Sequence, residues 1–291
     1  MKGWNVQKIN LLSSSLRKLF RNKIFITGFS LYLALILFSI VGSLITPIKL
    51  TYVGAAEPLL PPQLHHPLGT DILGRDILAL LYSATLNSGK IGLIAAAIGT
   101  LIGALIGFIS GYYGGSIDFV LRMITDVFLS VPSLLFLILI SSLVKTVSVE
   151  MMAFLISAFS WSWPARQVRA QALSLKESDF VYLAKLSGES GFEIIIKELM
   201  PHMIPWMAAN FVNAYLVAIL TEAGLAILGL GPQTEMTLGI LLWWALTHAA
   251  IFRGIWWWWF PPVALLIYSF LALYLMQIGL TEVINPRAKV I

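Results

Sequence analysis

Cysteine is absent from the 291 residues, which excludes disulfides, thiolate metal sites and cysteine nucleophiles. Charge is nearly as scarce. Only 11% of the chain is Asp, Glu, Lys or Arg, against roughly 25% in a soluble domain. With 58% hydrophobic residues and a mean hydropathy of +0.87, such a chain cannot cover a water-facing surface, and a membrane is its solvent. A phosphate-cradling GxxxxGK[ST] stretch is also lacking. "NSGK" at Asn87 to Lys90 has the right last letters but no upstream glycine. The four histidines, His65, His66, His202 and His248, are not spaced as a metal cluster. No cleavable signal is expected, because the first apolar run, Ile24 to Ile45, exceeds the roughly 7–15 residues of a signal core.

What is present is a series of apolar runs, each near the roughly 20 residues needed to cross hydrocarbon. They are Ile24 to Ile45, Ile91 to Ile109, Ile117 to Val144, Val149 to Trp163, Ile204 to Leu228 and Ile255 to Leu280. Six crossings put both termini on one side. Basic residues orient the set, since cytoplasmic loops carry the Lys/Arg excess. Lys2, Lys8, Arg17, Lys18, Arg21 and Lys23 lie at the N-terminus; Arg166, Arg169, Lys176, Lys185 and Lys197 follow the fourth run; Arg287 and Lys289 lie in the C-terminal tail. All fall on the same side, so the net charge of +5 reflects topology and calls for no nucleic acid. The expected organisation is a cytoplasmic tail (1–23), a first transmembrane helix (24–46), an extracytoplasmic loop (47–89), a core of five further helices (90–283) and a cytoplasmic tail (284–291). Trp243, Trp244 and Trp256 to Trp259 read as an aromatic belt at the membrane interface.

One long polar stretch interrupts this pattern. "ARQVRAQALSLKESDFVYLAKLS" has helix-favouring composition with apolar residues among charges. Gly188 and Gly191 then offer a helix stop and restart. In "FEIIIKELM", Glu193 and Lys197 share a face. The expectation is a helix–turn–helix elbow on the cytoplasmic side, within 166–203, shaped for docking; an amphipathic linker on the membrane surface is the plainer alternative.

The elbow resembles the Glu-Ala-Ala loop of ABC-transporter permeases, written here as Tyr182-Leu183-Ala184, Lys185-Leu186-Ser187, Gly188, then Met200-Pro201. Tyr and Leu replace the leading Glu and first Ala. "HPLGTDILGRD" (His66 to Asp76), "GFISGYYGGSIDFVLRMITDVFLSVPSLL" (Gly107 to Leu135), "ILTEAGLAILGLGPQ" (Ile219 to Gln233) and "INPR" (Ile284 to Arg287) resemble, in the same order, motifs of the C-type permease of dipeptide/oligopeptide/nickel importers. Departures at Ser83-Ala84-Thr85 and at Gln277 to Glu282 remove charge near both membrane boundaries.

The resemblance implies an all-α membrane protein with six transmembrane helices, the type I ABC importer (MetI-like) permease fold and cytoplasmic coupling helices. It implies a plasma- or inner-membrane transport subunit for peptides or oligosaccharides that catalyses no reaction and binds no cofactor. ATP and Mg would be bound by two partner ATPase subunits, cargo delivered by an extracytoplasmic binding protein, and the path completed by a homologous B-type permease. Tyr182, Leu183, Ala184, Gly188, Glu189 and Ser190 would form the coupling elbow, with Ala184 small for close packing and Tyr182 inserting into a partner pocket. Within the spans, Asn210, Asn213 and Glu222 are candidate path or gating residues, since a carboxylate in lipid must face the bundle interior or a partner. Asp118, Arg122 and Asp126, spaced four apart, read either as an internally compensated set or as snorkelling anchors. Gly92, Gly99, Gly103 and Gly107 permit close helix packing. An ion-coupled secondary transporter is the competing class, but its usual internal repeat is not visible.

Overall fold

The computed structural model describes residues 18–144 and 146–284. The expectations for the far N-terminal basic residues Lys2, Lys8 and Arg17 and for the Asn-Pro-Arg tail lie outside them. The regular elements among the described residues are helical, apart from isolated bridge pairs in the loop before Ile77. In order they are α1 (Lys23–Ile45), a 3-10 turn (Ile48–Thr51), α2 (Ile77–Tyr113), α3 (Gly115–Ser130), α4 (Ser133–Leu143), α5 (Val149–Ser160), α6 (Ser162–Leu175), α7 (Asp179–Leu186), α8 (Gly191–Ile194), a π-helical turn (Ile195–Leu199), α9 (Met200–Ile227), α10 (Leu238–Thr247) and α11 (Trp256–Ile284).

Four helical stretches are long and apolar enough to cross a membrane: α1, α2, the continuous run from α8 through α9, and α11. A fifth arises if α3 and α4 count as one span. They meet at 78°, at the Val131-Pro132 step, where proline can neither donate a backbone hydrogen bond nor continue the preceding helix. The unbroken third span expected from the apolar run is therefore two helices. The expected fourth span is also shorter: α5 has 12 residues, and beyond Trp161 the chain resumes as the polar helix α6.

α2 is the longest single element at 37 residues. It begins at Ile77, well before the expected Ile91, because the Asp76 carboxylate caps it by accepting from the Ala79 N–H at 2.8 Å. The polar residues that disguised this stretch each have a partner. Asn87 donates to the Met236 carbonyl at 2.8 Å, Ser88 donates to Glu222, and Lys90 pairs with Glu150. The loop before α2 thus ends at residue 76, and the expected loop stretch 77–89 is helical.

The other end of α2 carries its glycine stripe. Gly99 lies against Ser160, Gly103 against the Trp161 carbonyl and Pro164, Gly107 against the Ala165 carbonyl and Val168, and Gly111 against Ala172. The i,i+4 repeat puts all four on one face, and removing four side chains brings two backbones together. Gly92, higher on the same helix, receives the Tyr215 ring and Ile219 of α9. α1 and α11 cross in the same way: Gly28 meets the Ala272 carbonyl, and Gly279 meets the Phe25 backbone.

One core cluster sits at the end of the molecule that holds the long loop. Ile77, Leu80, Leu241, Ala250 and Trp258 are buried there. Trp258 is fully enclosed and Trp256 exposed, so the Trp256 to Trp259 run is partly core rather than wholly an interfacial belt. The opposite end holds Phe108, Val168, Ala172, Val181, Ala184, Ile194 and Leu199, drawn from α2, α6, α7, α8 and the π-turn.

Gly107→Val tests the stripe. A Cβ at Gly107 would stand 2.6 Å from both the Ala165 carbonyl oxygen and the Val168 Cβ, and overpacking of this kind costs about 1–3 kcal/mol. At Gly224 a Cβ meets nothing within 4 Å, and Gly→Ala in a helix gains up to ~1 kcal/mol. In thermal unfolding of the purified protein in detergent, Gly107→Val should lower the midpoint by several degrees, while Gly224→Ala leaves it unchanged or raises it.

Candidate coupling elbow and polar sites within the spans

α7 ends in a Schellman turn. The Glu189 N–H donates to the Ala184 carbonyl at 3.2 Å and the Gly188 N–H to the Lys185 carbonyl at 3.1 Å, the two reversed bonds that close this motif. Gly188 has φ +80°, in the left-handed region where a side chain is strained. A Cβ there would meet no atom within 4 Å, so the backbone angle, rather than lack of space, demands glycine. α8 restarts two residues later with a capping box. The Ser190 hydroxyl accepts from the Glu193 N–H at 3.3 Å, and the Glu193 carboxylate accepts from the Ser190 N–H at 2.9 Å. Lys197 adds a 2.8 Å bridge to Glu193.

The six elbow residues have different jobs. Tyr182 and Leu183 are more than half exposed, and Leu186, Phe192 and Ile196 extend the same exposed apolar surface. Ala184 is buried against this chain's own core. Its small side chain packs closely within this chain's own core. Gly188 turns the chain and Ser190 caps the next helix, while Glu189 supplies a Schellman N–H and is half-buried. Nor is the second arm a separate short helix. Gly191 packs on the Tyr112 and Tyr113 rings, and from it the chain runs on through the π-turn into α9. There the Met200 N–H reaches back to the Ile195 carbonyl, the i→i+5 bond of a π-turn.

The charge cluster is compensated across helices rather than along one. Asp118 on α3 takes both Nε and Nη2 of Arg169 on α6, the latter at 2.6 Å, and also accepts from the Ser110 hydroxyl. Asp126 pairs with Arg166 at 2.6 Å. Arg122, the expected i+4 partner of both acids, is exposed and lines a small cleft with Asp126, Arg166 and Arg169. The sequence spacing of four was a coincidence of one helix face. The true partners lie 51 and 40 residues on, and only the close α2–α6 packing brings them into reach.

Glu222 is fully buried. One carboxylate oxygen accepts from the Thr237 hydroxyl and the other from the Ser88 hydroxyl at 3.1 Å. Ser88 accepts from the Leu238 N–H at 3.1 Å, and Thr237 caps α10 by accepting from the Ile240 N–H at 3.2 Å. Glu222 therefore clips the start of α10 to α2 and α9. It is not on the wall of either large cavity, whereas Asn210 and Asn213 line both. Of the three candidate path or gating residues, Glu222 thus stands in a hydrogen-bonded clip, and Asn210 and Asn213 stand on the cavity walls. One cavity, of about 440 Å³, lies among α3, α4, α5, α6 and α9; the other, of about 350 Å³, among α6, α9 and α11.

The histidine-containing outer loop is a hydrogen-bonded knot. Asp71 accepts from the Leu73 and Arg75 N–H groups at 2.8 and 2.9 Å and pairs with the Arg75 guanidinium at 2.6 Å. His66 Nδ1 lies 2.7 Å from Asp76, and Arg75 stacks over Trp244 at 5.2 Å. This role for the Gly-Thr-Asp…Gly-Arg-Asp residues went unassigned in the sequence; the signal was the alternation of carboxylates with glycines at turn spacing. No group of three or more His, Cys, Asp or Glu residues among those described could hold a metal ion.

The two ion pairs differ in exposure, and their loss should differ accordingly. Asp118 and Arg169 side chains are 16% and 23% exposed, Asp126 and Arg166 about half exposed. Asp118→Asn removes charge-assisted hydrogen bonds worth about 1.5–3 kcal/mol, and Asp126→Asn an exposed pair worth ~0–1 kcal/mol. Thermal unfolding at matched detergent should rank Asp118→Asn clearly below Asp126→Asn; equal midpoints would contradict the partition.

Comparison with known proteins agrees with these features. The family described as the inner membrane component of binding-protein-dependent transport systems matches residues 103–290, and the N-terminal transmembrane domain of oligopeptide transport permease C matches residues 10–62. The chain is 29% identical over 276 residues to a dipeptide transport system permease protein of Bacillus subtilis, covering 94% of this chain and 85% of that protein. It is 32% identical over 276 residues to a putative peptide transport system permease protein of Brucella suis, covering 94% and 91%. An oligopeptide transport system permease protein of Mycobacterium tuberculosis is 29% identical over 233 residues, 79% of each chain. With its helical core, its elbow and its outer loop all falling within these matches, the chain belongs to the family of inner-membrane permease components of binding-protein-dependent transporters, in the C-type branch of the peptide ABC importers.

Proposed function

We propose that this chain is one membrane half of an ATP-driven importer of peptides, working by alternating access. It pairs with a homologous B-type permease, two ATPase subunits and an extracytoplasmic binding protein. The observation that carries the reading is the elbow: an exposed apolar face (Tyr182, Leu183, Leu186, Phe192) on a unit whose other face is fixed in the core through Val181 and Ala184. An exposed apolar patch on a rigid mount is what a docking partner needs. A flexible linker would have neither the Schellman turn nor the capping box. Peptide is the cargo class because the relatives described above are named as peptide, dipeptide or oligopeptide permeases.

The packing supports six crossings with both termini cytoplasmic. Gln233, after α9, donates its N–H to the Val147 carbonyl, just before α5, at 3.0 Å. Arg75 in the outer loop stacks on Trp244 of α10. Three connections assigned to the extracytoplasmic side thus meet at one end. The elbow meets the α2–α3 turn at the other end, where Gly191 contacts Tyr112 and Tyr113. In this arrangement α3 with α4 makes the third crossing and α5 with the start of α6 the fourth. ATP-driven closure of the ATPase pair would move two elbows together, and the bundles, packed as discrete arrangements rather than deformable ones, would switch from one facing state to the other.

Because the chain has no cysteine, single cysteines at Gln63, Ser187 and Gln233 test the topology directly. A membrane-impermeant maleimide should label Gln63→Cys and Gln233→Cys in intact cells or spheroplasts, and Ser187→Cys only after permeabilisation. Labelling at Ser187 from outside would overturn the orientation.

Gly188 tests the coupling. A β-branched residue at φ +80° strains the turn by about 1–2 kcal/mol or more, whereas asparagine tolerates the left-handed region. Gly188→Val should reach the membrane with unchanged topology yet lose about tenfold or more of peptide-stimulated ATP hydrolysis and uptake. Gly188→Asn should keep most of both, since no neighbouring atom opposes a side chain there. Wild-type coupling in the valine variant would remove the elbow from the mechanism.

A further inference from the structure

The two cavities share Trp163, Asn210 and Asn213 as wall residues and so lie side by side along α6 and α9. None of their lining residues has an ionisable side chain. Instead the shared wall and its wider mouth carry five carboxamides: Gln167 and Gln171 on α6, Asn210 and Asn213 on α9, and Gln277 on α11. The charges closest in sequence are engaged elsewhere. Arg166 and Arg169 hold Asp126 and Asp118 on the α3 side of α6, and Glu282 accepts from the Asn22 side chain at 2.9 Å.

The carboxamides are also ready to bind. Asn210 donates to the Trp206 carbonyl at 3.0 Å, which leaves its oxygen facing other uses. The side chains of Gln167, Gln171, Asn213 and Gln277 make no hydrogen bond to another described residue. Each presents both a donor and an acceptor, the complement of a peptide group. The spacing suits an extended chain. Gln167 and Gln171 are four residues apart on a helix, a rise of about 6 Å. Groups on one side of an extended peptide repeat at about 6.8 Å.

Resting on the importer reading, we propose that these five carboxamides form this chain's share of a charge-neutral track that hydrogen-bonds the backbone of an extended peptide, so that the permease passes cargo without regard to the charge of its side chains.

The test uses the complete importer with its native partners in proteoliposomes, at saturating binding protein. The probes are three matched short peptides, one neutral, one containing lysine and one containing glutamate, together with a backbone N-methylated version of the neutral one. Wild type should carry the three charged and uncharged forms at maximal rates within about threefold, and the N-methylated form at least about tenfold more slowly, having lost its backbone donors. Asn213→Asp, or Gln171→Glu at an exposed position where folding is not at stake, should raise the lysine-to-glutamate rate ratio about tenfold over wild type. Taking that ratio against wild type cancels any preference of the binding protein. Unchanged ratios in both variants with uptake intact would overturn the track, as would equal transport of the N-methylated peptide. No ATP-dependent uptake of any peptide by the wild-type complex would defeat the importer reading itself, and the track with it.

Discussion

Lipid offers no hydrophobic drive for one apolar helix to leave it for another, so helices in a bilayer associate through close packing and polar contacts. In this chain the closest packing is that of α2 on α6. Gly99, Gly103, Gly107 and Gly111 let the α6 backbone rest directly on α2. That contact brings Arg169 within reach of Asp118, which is tied in turn to Ser110 near the end of α2. It also sets Val168 and Ala172 beside Phe108, forming the floor onto which Val181 and Ala184 of the elbow pack. A single stripe of missing side chains thus fixes the bundle, the interhelix ion pairs and the seat of the elbow.

Glu222 shows the complementary device at the other end. Burying a carboxylate is tolerable only with partners, and Thr237 and Ser88 supply one for each oxygen. Both partners also hold the first turn of α10 through backbone N–H groups. The acid therefore works as the centre of a polar clip joining three helices. A clip of neutral hydroxyls around one carboxyl is compact, and it leaves the adjacent cavity wall free of charge.

Much of this was legible in the sequence, and the failures have physical causes. Apolar length located α1, α9 and α11, because the membrane imposes length directly. The elbow was readable because caps and turns are local: Gly188 needs a positive φ, and Ser190 with Glu193 writes a capping box within four residues. The start of α2 was misread because Asn87, Ser88 and Lys90 look like a loop until their partners just before α10, on α9 and on α5 are known. The Asp118–Arg122–Asp126 spacing misled for the same reason, since periodicity reports which residues share a face and says nothing of what that face meets.

The join between elbow and membrane has its own logic. The chain from Gly191 to Ile227 is one continuous helical rod, so motion at the elbow reaches the cavity-lining Asn210 and Asn213 without passing through a flexible loop. Besides Pro205 inside α9, it carries the π-turn at Ile195–Leu199, which inserts one extra residue into a turn and so rotates the face of everything beyond it. Ile194, Ile195 and Leu199 are buried around that turn, anchoring it in the same cluster as Ala184. A straight α-helix through this segment would carry α9 round by roughly one residue, about 100°, and turn Asn210 and Asn213 away from the cavity they now line. The π-turn thus sets the angular register between the exposed face of the elbow and the cavity-lining face of α9.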